Sequence, residues 1–311
     1  MPCVVIIVGS RRLPNTWYSS RPGQGDPSFK PAPMPTARRY LAATPLGPGL
    51  AGTFGGIVHD AAANNEVYDF NANAWMVRAP LPTARYALAA APLGPGLAGT
   101  FGGVNDTGYL AINEVYDFNS NSWSTRAPMP TFLNLATAAP LGPGLVGAFG
   151  GRGGGGSVAT TYVYSYNDNT WASRAPIPTV RAGAAAPLGP GLAGVFGGVV
   201  SNSSNPSEVY DYNADVWMIR APAPTARNYL AATPLGPGLA GVFGGVVYTP
   251  YPTSTAANEI YDFNSNSWST RAPMPTARGY LAAAPLGPGL AGTFGGSGTG
   301  ARDDANEIYS Y

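Results

Sequence analysis

The sequence predicts an all-β fold, a closed β-propeller of six blades with four antiparallel strands in each, and three repeating features carry that prediction. The hexapeptide PLGPGL begins at Pro45, Pro92, Pro140, Pro187, Pro234 and Pro285, six copies 47 to 51 residues apart. Each copy is followed by a glycine doublet, starting at Gly55, Gly102, Gly150, Gly197, Gly244 and Gly295. A variable stretch of nine to thirteen residues then leads to an aromatic segment of the type EVYDF, at 66–70, 114–118, 162–166, 208–212, 259–263 and 307–311. A period of this length marks units that stack and bury a shared core.

Within the first repeat, alternation and turn chemistry predict strands at 39–44, 50–55, 66–70 and 75–78. The first is alanine-rich, as at Ala42 and Ala43, which suits the innermost strand because blades converge on the axis and leave little volume there. Gly47-Pro48-Gly49-Leu50 puts proline where φ near −65° is wanted and glycine where φ is positive, a type II turn. The glycine doublet allows a bend and a close backbone approach. A phosphate-cradling loop would need a helix after it, and no stretch has helical periodicity. Tyr68 and Phe70 alternate with Val67, placing bulky contacts on strand three where blades diverge.

The sixth repeat reaches its aromatic segment at Tyr311 and has no tryptophan strand after it. The run Asn15-Thr16-Trp17-Tyr18-Ser19-Ser20-Arg21-Pro22 resembles residues 121–128 and 266–273. Trp17 is therefore expected in the missing outer strand, which would remove an open sheet edge. Val4, Val5, Ile6 and Ile7 form a β-prone run that could instead pair with a neighbouring molecule and drive head-to-tail assembly. The chain reads as a single domain over 1–311, with 1–32 as the closing or exchange segment and six repeats over 33–311.

A tyrosine is followed seven positions later by a tryptophan at Tyr68/Trp75, Tyr116/Trp123, Tyr164/Trp171, Tyr210/Trp217 and Tyr261/Trp268. Together with the glycine doublets, these pairs resemble the kelch repeat over residues 33–311. The resemblance implies four-stranded propeller blades, a variable loop on the same face as the segment leading into strand one, and arginines near the mouth of the central channel. The last would be Arg38, Arg85, Arg181, Arg227 and Arg278 of the PTAR-type segments, a broken cationic ring in which Leu133 replaces the third arginine. The competing role for each is bonding within its own blade.

Composition narrows the function. Charged residues are 11% of the chain and the net charge is +1, with no basic run, so no nucleic-acid footprint or polybasic membrane patch is expected. Cys3 is the only cysteine and His59 the only histidine, which argues against a disulfide, a multi-thiolate site or a two-histidine metal centre. No metal and no cofactor is expected. The apolar run near the N-terminus is too short for a signal-peptide core or a membrane span. The repeated acids, Glu66 and Asp69 with their equivalents, are expected to pair with arginines or cap turns, since paired acid–base catalysis needs two carboxylates in unlike environments. A second arginine series, Arg78, Arg126, Arg174, Arg220 and Arg271, is expected to bridge to the strand-three glutamates or to stack on tryptophan.

Variation inside the repeats is confined to the loops at 57–65, 104–113, 152–161, 199–207, 246–258 and 297–306. Loops on a rigid scaffold carry recognition, which adds His59, Asp106, Tyr109, Arg152, Tyr248, Tyr251 and Arg302 as candidate contacts. Asn105 and Asn202 begin glycosylation sequons in two of these loops, compatible with a secreted or cell-surface protein. The sequence thus points to a non-enzymatic recognition module for a carbohydrate or protein partner. The alternative is a structural subunit of an extracellular assembly joined by terminal strand exchange.

Overall fold

The computed structural model describes residues 16–17, 30–198, 205–248, 250–298 and 304–311. Of six four-stranded antiparallel sheets, five follow chain order from the innermost strand outward, and the sixth takes its outermost strand from Thr16–Trp17. Blade one comprises Ala42–Gly47, Leu50–Phe54, Asn65–Asp69 and Ala74–Val77. The innermost strands of the following blades are Ala89–Gly94, Thr137–Gly142, Ala184–Gly189, Ala231–Gly236 and Ala282–Gly287. Each lies beside the next, and the sixth returns to the first. The protein is a six-bladed β-propeller.

The innermost strand begins three residues later than the sequence pattern predicts and runs through Pro45. It has only one sheet neighbour, Leu50–Phe54, and a register shift falls between Pro45 and Gly47. Proline is tolerated on such an edge, where its missing N–H would have faced the open side. Residue 40 is not extended: Tyr40 has φ 56°, so the chain turns into the strand only after it.

Neighbouring blades are joined by one backbone contact repeated at every junction. The second glycine of each doublet donates to the carbonyl of the arginine-position residue of the next blade, from Gly56 to Arg85 (3.0 Å) round to Gly296 and Arg38 (2.9 Å). At Gly55, where φ is +59°, a β-carbon would stand 2.4 Å from the Arg85 carbonyl oxygen. The doublet is therefore required by a neighbouring backbone.

The Asn-rich turns make a second staple. Asn73, Asn121, Asn169, Asp215 and Asn266 adopt left-handed φ of 51–53°, except Asn266 at 48°, a conformation these residue types accept. Each side-chain oxygen accepts from the tyrosine hydroxyl five residues earlier and from an alanine N–H of the preceding blade, as when Asn121 takes Tyr116 Oη (2.9 Å) and the Ala79 N–H (2.9 Å). The same alanine's carbonyl accepts from Trp123 Nε1 (2.8 Å) of blade two and from Asn65 Nδ2 (2.9 Å) of its own blade. The tyrosine–tryptophan spacing thus fastens strand four of one blade to the next. The apolar core lies between blades: Phe54 and Val67 of blade one pack with Leu88, Ala98 and Tyr116 of blade two.

Blade six is completed from the other end of the chain, as expected. Thr16–Trp17 pairs antiparallel with the strand Asn306–Ser310, aligning Trp17 with Tyr309. Trp17 Nε1 donates to the Ala272 carbonyl (2.9 Å), and its ring meets Phe243 edge-on at 5.8 Å. Trp75 makes the equivalent bond to Ala32 (2.8 Å) and the equivalent edge contact with Phe294 (5.8 Å).

Two outcomes follow from these junctions. Trp17→Ala is expected to cost about as much as Trp75→Ala, roughly 3 kcal/mol each. Circular dichroism in guanidinium checks this, and a full loss at Trp75 with none at Trp17 would show that blade six closes by other means. Asp215 is held below the usual carboxylate range by its bonds from the Tyr210 hydroxyl and then the Ala175 N–H. With its pKa depressed by folding, its contribution is present above the unfolded value of about 3.9 and lost as pH falls below it. The stability advantage of the wild type over Asp215→Asn should accordingly shrink between about pH 5 and pH 2, and parallel curves for the two would refute that share.

Candidate functional site

The loop after each glycine doublet and the segment leading into strand one share a face of the propeller. They are bridged in antiparallel fashion at Arg39 and Ile57, Tyr86 and Val104, Asn134 and Arg152, Asn228 and Val246, and Gly279 and Ser297. Short hairpins rise from this face: Val104–Asn105 with Gly108–Tyr109, Arg152–Gly153 with Gly156–Ser157, and Val246–Tyr248 with Pro252–Ser254. His59, Asp106, Tyr109, Arg152, Tyr248 and Tyr251 are all exposed there. Asn105 lies at a hairpin turn, where its Oδ1 accepts from the Thr107 N–H (3.0 Å) and hydroxyl (2.7 Å). Arg302, Asn202, Val4, Val5, Ile6 and Ile7 lie outside the described residues.

The five PTAR-type arginines do not form a ring of free cations. Each is buried and paired with the strand-three glutamate of its own blade: Arg38 with Glu66 (2.6 Å), Arg85 with Glu114, Arg181 with Glu208 (3.1 Å), Arg227 with Glu259 (3.1 Å) and Arg278 with Glu307 (2.7 Å). Burial lowers each guanidinium from its ordinary value, and the facing carboxylate opposes that shift. Arg38 also donates to Thr53 Oγ1 (3.0 Å) and the Gly55 carbonyl (2.6 Å). The closest pairs occur in the blades with that threonine, Thr53, Thr100 and Thr293. Val195 and Val242 replace it where the separation is 3.1 Å. A hydroxyl in the second strand orients the guanidinium toward the carboxylate.

Blade three replaces both partners together. Leu133 and Tyr162 stand where the other blades have arginine and glutamate, and both are buried. Tyr162 Oη contacts Thr131 Oγ1 at 3.3 Å, the place of the Thr36-to-Glu66 bond (2.6 Å). An apolar replacement of a buried ion pair is often neutral in stability, whereas deleting one partner strands a charge.

The second arginine series departs from expectation, because the first already occupies the glutamates. Arg78, Arg126, Arg174, Arg220 and Arg271 instead lie over Phe118, Tyr166, Tyr212, Phe263 and Tyr311 of the next blade, 4.7 to 5.5 Å from the ring centroids. The strand-three aspartates cap turns: Asp69 accepts from the Asn71 (2.8 Å) and Ala72 (3.0 Å) N–H groups. Among the described residues no cluster of three His, Cys, Asp or Glu could hold a metal ion, and no helix is long and apolar enough to cross a membrane.

The mouth of the central channel on the loop face holds a feature that the loop-centred reading of the sequence missed. Two residues from each blade line a cup of about 90 Å³: Tyr40 and Leu41, Ala87 and Leu88, Leu135 and Ala136, Ala182 and Gly183, Tyr229 and Leu230, Tyr280 and Leu281. Tyr229 and Tyr280 stack with centroids 4.3 Å apart, and Tyr280 and Tyr40 at 4.5 Å. Burial first, and then the neighbouring phenols, raises Tyr40 above the ordinary tyrosine value. Tyr248 is pushed up to about 12 by burial and by Tyr229 and Tyr280, so the loop tyrosine and the mouth tyrosines belong to one cluster. The sequence signal was a tyrosine two residues past the arginine in three of six repeats.

A backbone belt runs under these side chains. The N–H of Tyr280 bonds the Tyr229 carbonyl (2.8 Å), Tyr40 bonds Tyr280 (2.9 Å), Ala87 bonds Tyr40 (2.8 Å) and Leu135 bonds Ala87 (2.8 Å). All five residues are left-handed, with φ of 51–59°. Blade four is one residue shorter between its arginine and its strand, and the belt does not continue through it among the described residues. Gly183 there passes so near strand two that a β-carbon would lie 2.5 Å from the Phe196 carbonyl oxygen.

No protein-family model matches the chain, and no curated protein matches it.

The natural replacement in blade three supplies a test of the buried pairs. Arg38→Leu alone should cost about 3 to 5 kcal/mol, and adding Glu66→Tyr should recover most of that loss. Equilibrium denaturation of both singles and the double measures the coupling, and a double no better than the sum of its singles would show that blade three is not equivalent.

Proposed function

We propose that the chain is a recognition module of the kelch type, without catalytic activity, that holds a glycan or protein partner on the loop face. The observation that supports this reading is the gathering of exposed apolar side chains there: Val58, Tyr109, Phe132, Val180, Tyr248 and Tyr251. Phe132 and Val180 occupy positions where the other PTAR segments carry alanine. Meanwhile the buried arginines and glutamates neutralise one another inside the blades. A rigid scaffold with exposed aromatic and aliphatic side chains gathered on one face suits partner binding. His59 is exposed in the first loop and adds a polar contact to that face. A hairpin-borne sequon at Asn105 favours a secreted or cell-surface setting.

A second reading rests on the origin of the closing strand at the opposite end of the sequence from its partner. Thr16 and Trp17 pair with strand three of blade six, and the same contacts made by a neighbour's segment would give a filament or surface layer by exchange.

The two readings part in one comparison. The full chain is probed against glycan arrays and peptide libraries alongside Tyr109→Ser/Tyr251→Ser and an outer-strand control, Ile219→Ser. Recognition by the loop face requires a ligand whose binding drops about tenfold or more in the first variant and is unchanged in the second. A ligand indifferent to the loop tyrosines would overturn it. A polymer in light scattering that deletion of residues 1–22 converts to monomers would favour exchange.

A further inference from the structure

The three tyrosines at the channel mouth stand where backbone physics does not ask for tyrosine. Left-handed φ costs a β-carbon-bearing residue about 1 to 2 kcal/mol, and glycine or asparagine is the usual occupant. The belt needs that backbone conformation but not the side chain, because Ala87 and Leu135 carry it equally well. Tyr229, Tyr280 and Tyr40 also fall on three successive blades, five, six and one. The facing half of the mouth carries Ala87, Leu135 and Gly183. The result is an aromatic wall beside an open floor.

What fits such a cup follows from its chemistry. No carboxylate, lysine or arginine is among its lining residues, and the nearest PTAR guanidiniums are committed to Glu66 and Glu307. Burial keeps the phenols of Tyr40 and Tyr280 protonated through neutrality, so the cup offers neutral O–H groups that donate and accept. Ring faces bearing negative quadrupole density welcome C–H groups. The Tyr40 and Tyr280 hydroxyls bond each other and keep capacity for a further partner, so a ligand that presents a flat C–H face and a rim of hydroxyls matches both. About 90 Å³ receives the end of a ligand, with the remainder rising between Tyr109 and the Tyr248–Tyr251 hairpin.

We infer that the channel mouth binds the terminal pyranose ring of a neutral glycan, seated against Tyr40, Tyr280 and Tyr229 and above Ala87 and Gly183. This rests on the recognition reading and narrows it to one ligand class and one place.

The test titrates the full chain with methyl glucoside, galactoside and mannoside and with neutral tri- and tetrasaccharides, read by saturation-transfer NMR. Sialyllactose and a proline-rich peptide serve as competing chemistries. Two variants report on the cup without threatening the fold. Ala87→Tyr fills the floor with a side chain that three equivalent positions already carry at the same φ. Tyr280→Gly removes part of the wall while relieving the left-handed backbone. Each should weaken binding of a neutral saccharide by about tenfold or more, with the thermal midpoint of Ala87→Tyr near that of the wild type. Absence of any neutral saccharide binding at concentrations on the order of 10 mM overturns the inference. So does saccharide binding that Ala87→Tyr leaves intact, or selective binding of the sialylated glycan or the peptide. In those last cases, loss of the signal in Tyr109→Ser/Tyr251→Ser keeps the recognition reading standing, which separates the two failures.

Discussion

The propeller depends on the hydrogen bond from the second glycine of each doublet to the carbonyl at the arginine position of the next blade. It occurs at all six junctions, with donor–acceptor separations of 2.8 to 3.1 Å. The residue that accepts it also anchors its own blade, since the Arg38 guanidinium reaches Glu66, Thr53 and Gly55. A single position therefore fixes the inside of one blade and its distance from the neighbour. A buried backbone acceptor without its donor costs about 1 to 3 kcal/mol, and the close approach excludes a β-carbon on the donor side. This is why glycine recurs in every repeat although the surrounding loop varies freely.

The architecture was largely legible because its constraints are backbone constraints. Glycine doublets, the PLGPGL turn and the tyrosine-to-tryptophan spacing mark places where sterics leave few choices, and Trp17 carries the same local pattern as Trp75. The innermost strand was misplaced because Pro45 reads as a strand terminator unless the strand is known to be a sheet edge. The arginines show a different limit. Their repetition was visible, but whether a guanidinium faces solvent or a buried carboxylate depends on burial, which a linear pattern does not contain. The joint change to Leu133 and Tyr162 was the internal clue that the two positions are partners. Tyr40, Tyr229 and Tyr280 are less legible because they vary in side chain within a segment of nearly constant length, whereas the loops advertise themselves by varying in length.

Repeated and variable features are thus largely separated within each repeat. Groups that recur through blades one to five are spent on junctions: the asparagine or aspartate turn, the tryptophan Nε1, the guanidinium over an aromatic ring. Apart from buried replacements such as Leu133 with Tyr162, groups that break the sixfold pattern collect at one end of the molecule, among them the hairpin tips, Phe132, Val180 and the tyrosine half-ring. A scaffold whose stability is distributed over six similar interfaces tolerates such local departures, since altering one rim position leaves five junctions untouched.

Completion of blade six from both ends of the chain governs when the protein becomes whole. Trp17 precedes the first blade in sequence and Tyr309 belongs to the sixth, yet they are neighbours in one sheet. A nascent chain emerging from the ribosome can assemble blades one to five in order, each docking on its predecessor. Throughout that time the first tryptophan has no Tyr309 to meet, and blade one lacks the neighbour that brings Phe294 against Trp75. Until Tyr309 joins it the ring is an open arc with two unsatisfied flanks, and closing the loop between Trp17 and Tyr309 carries the entropic cost of that long separation.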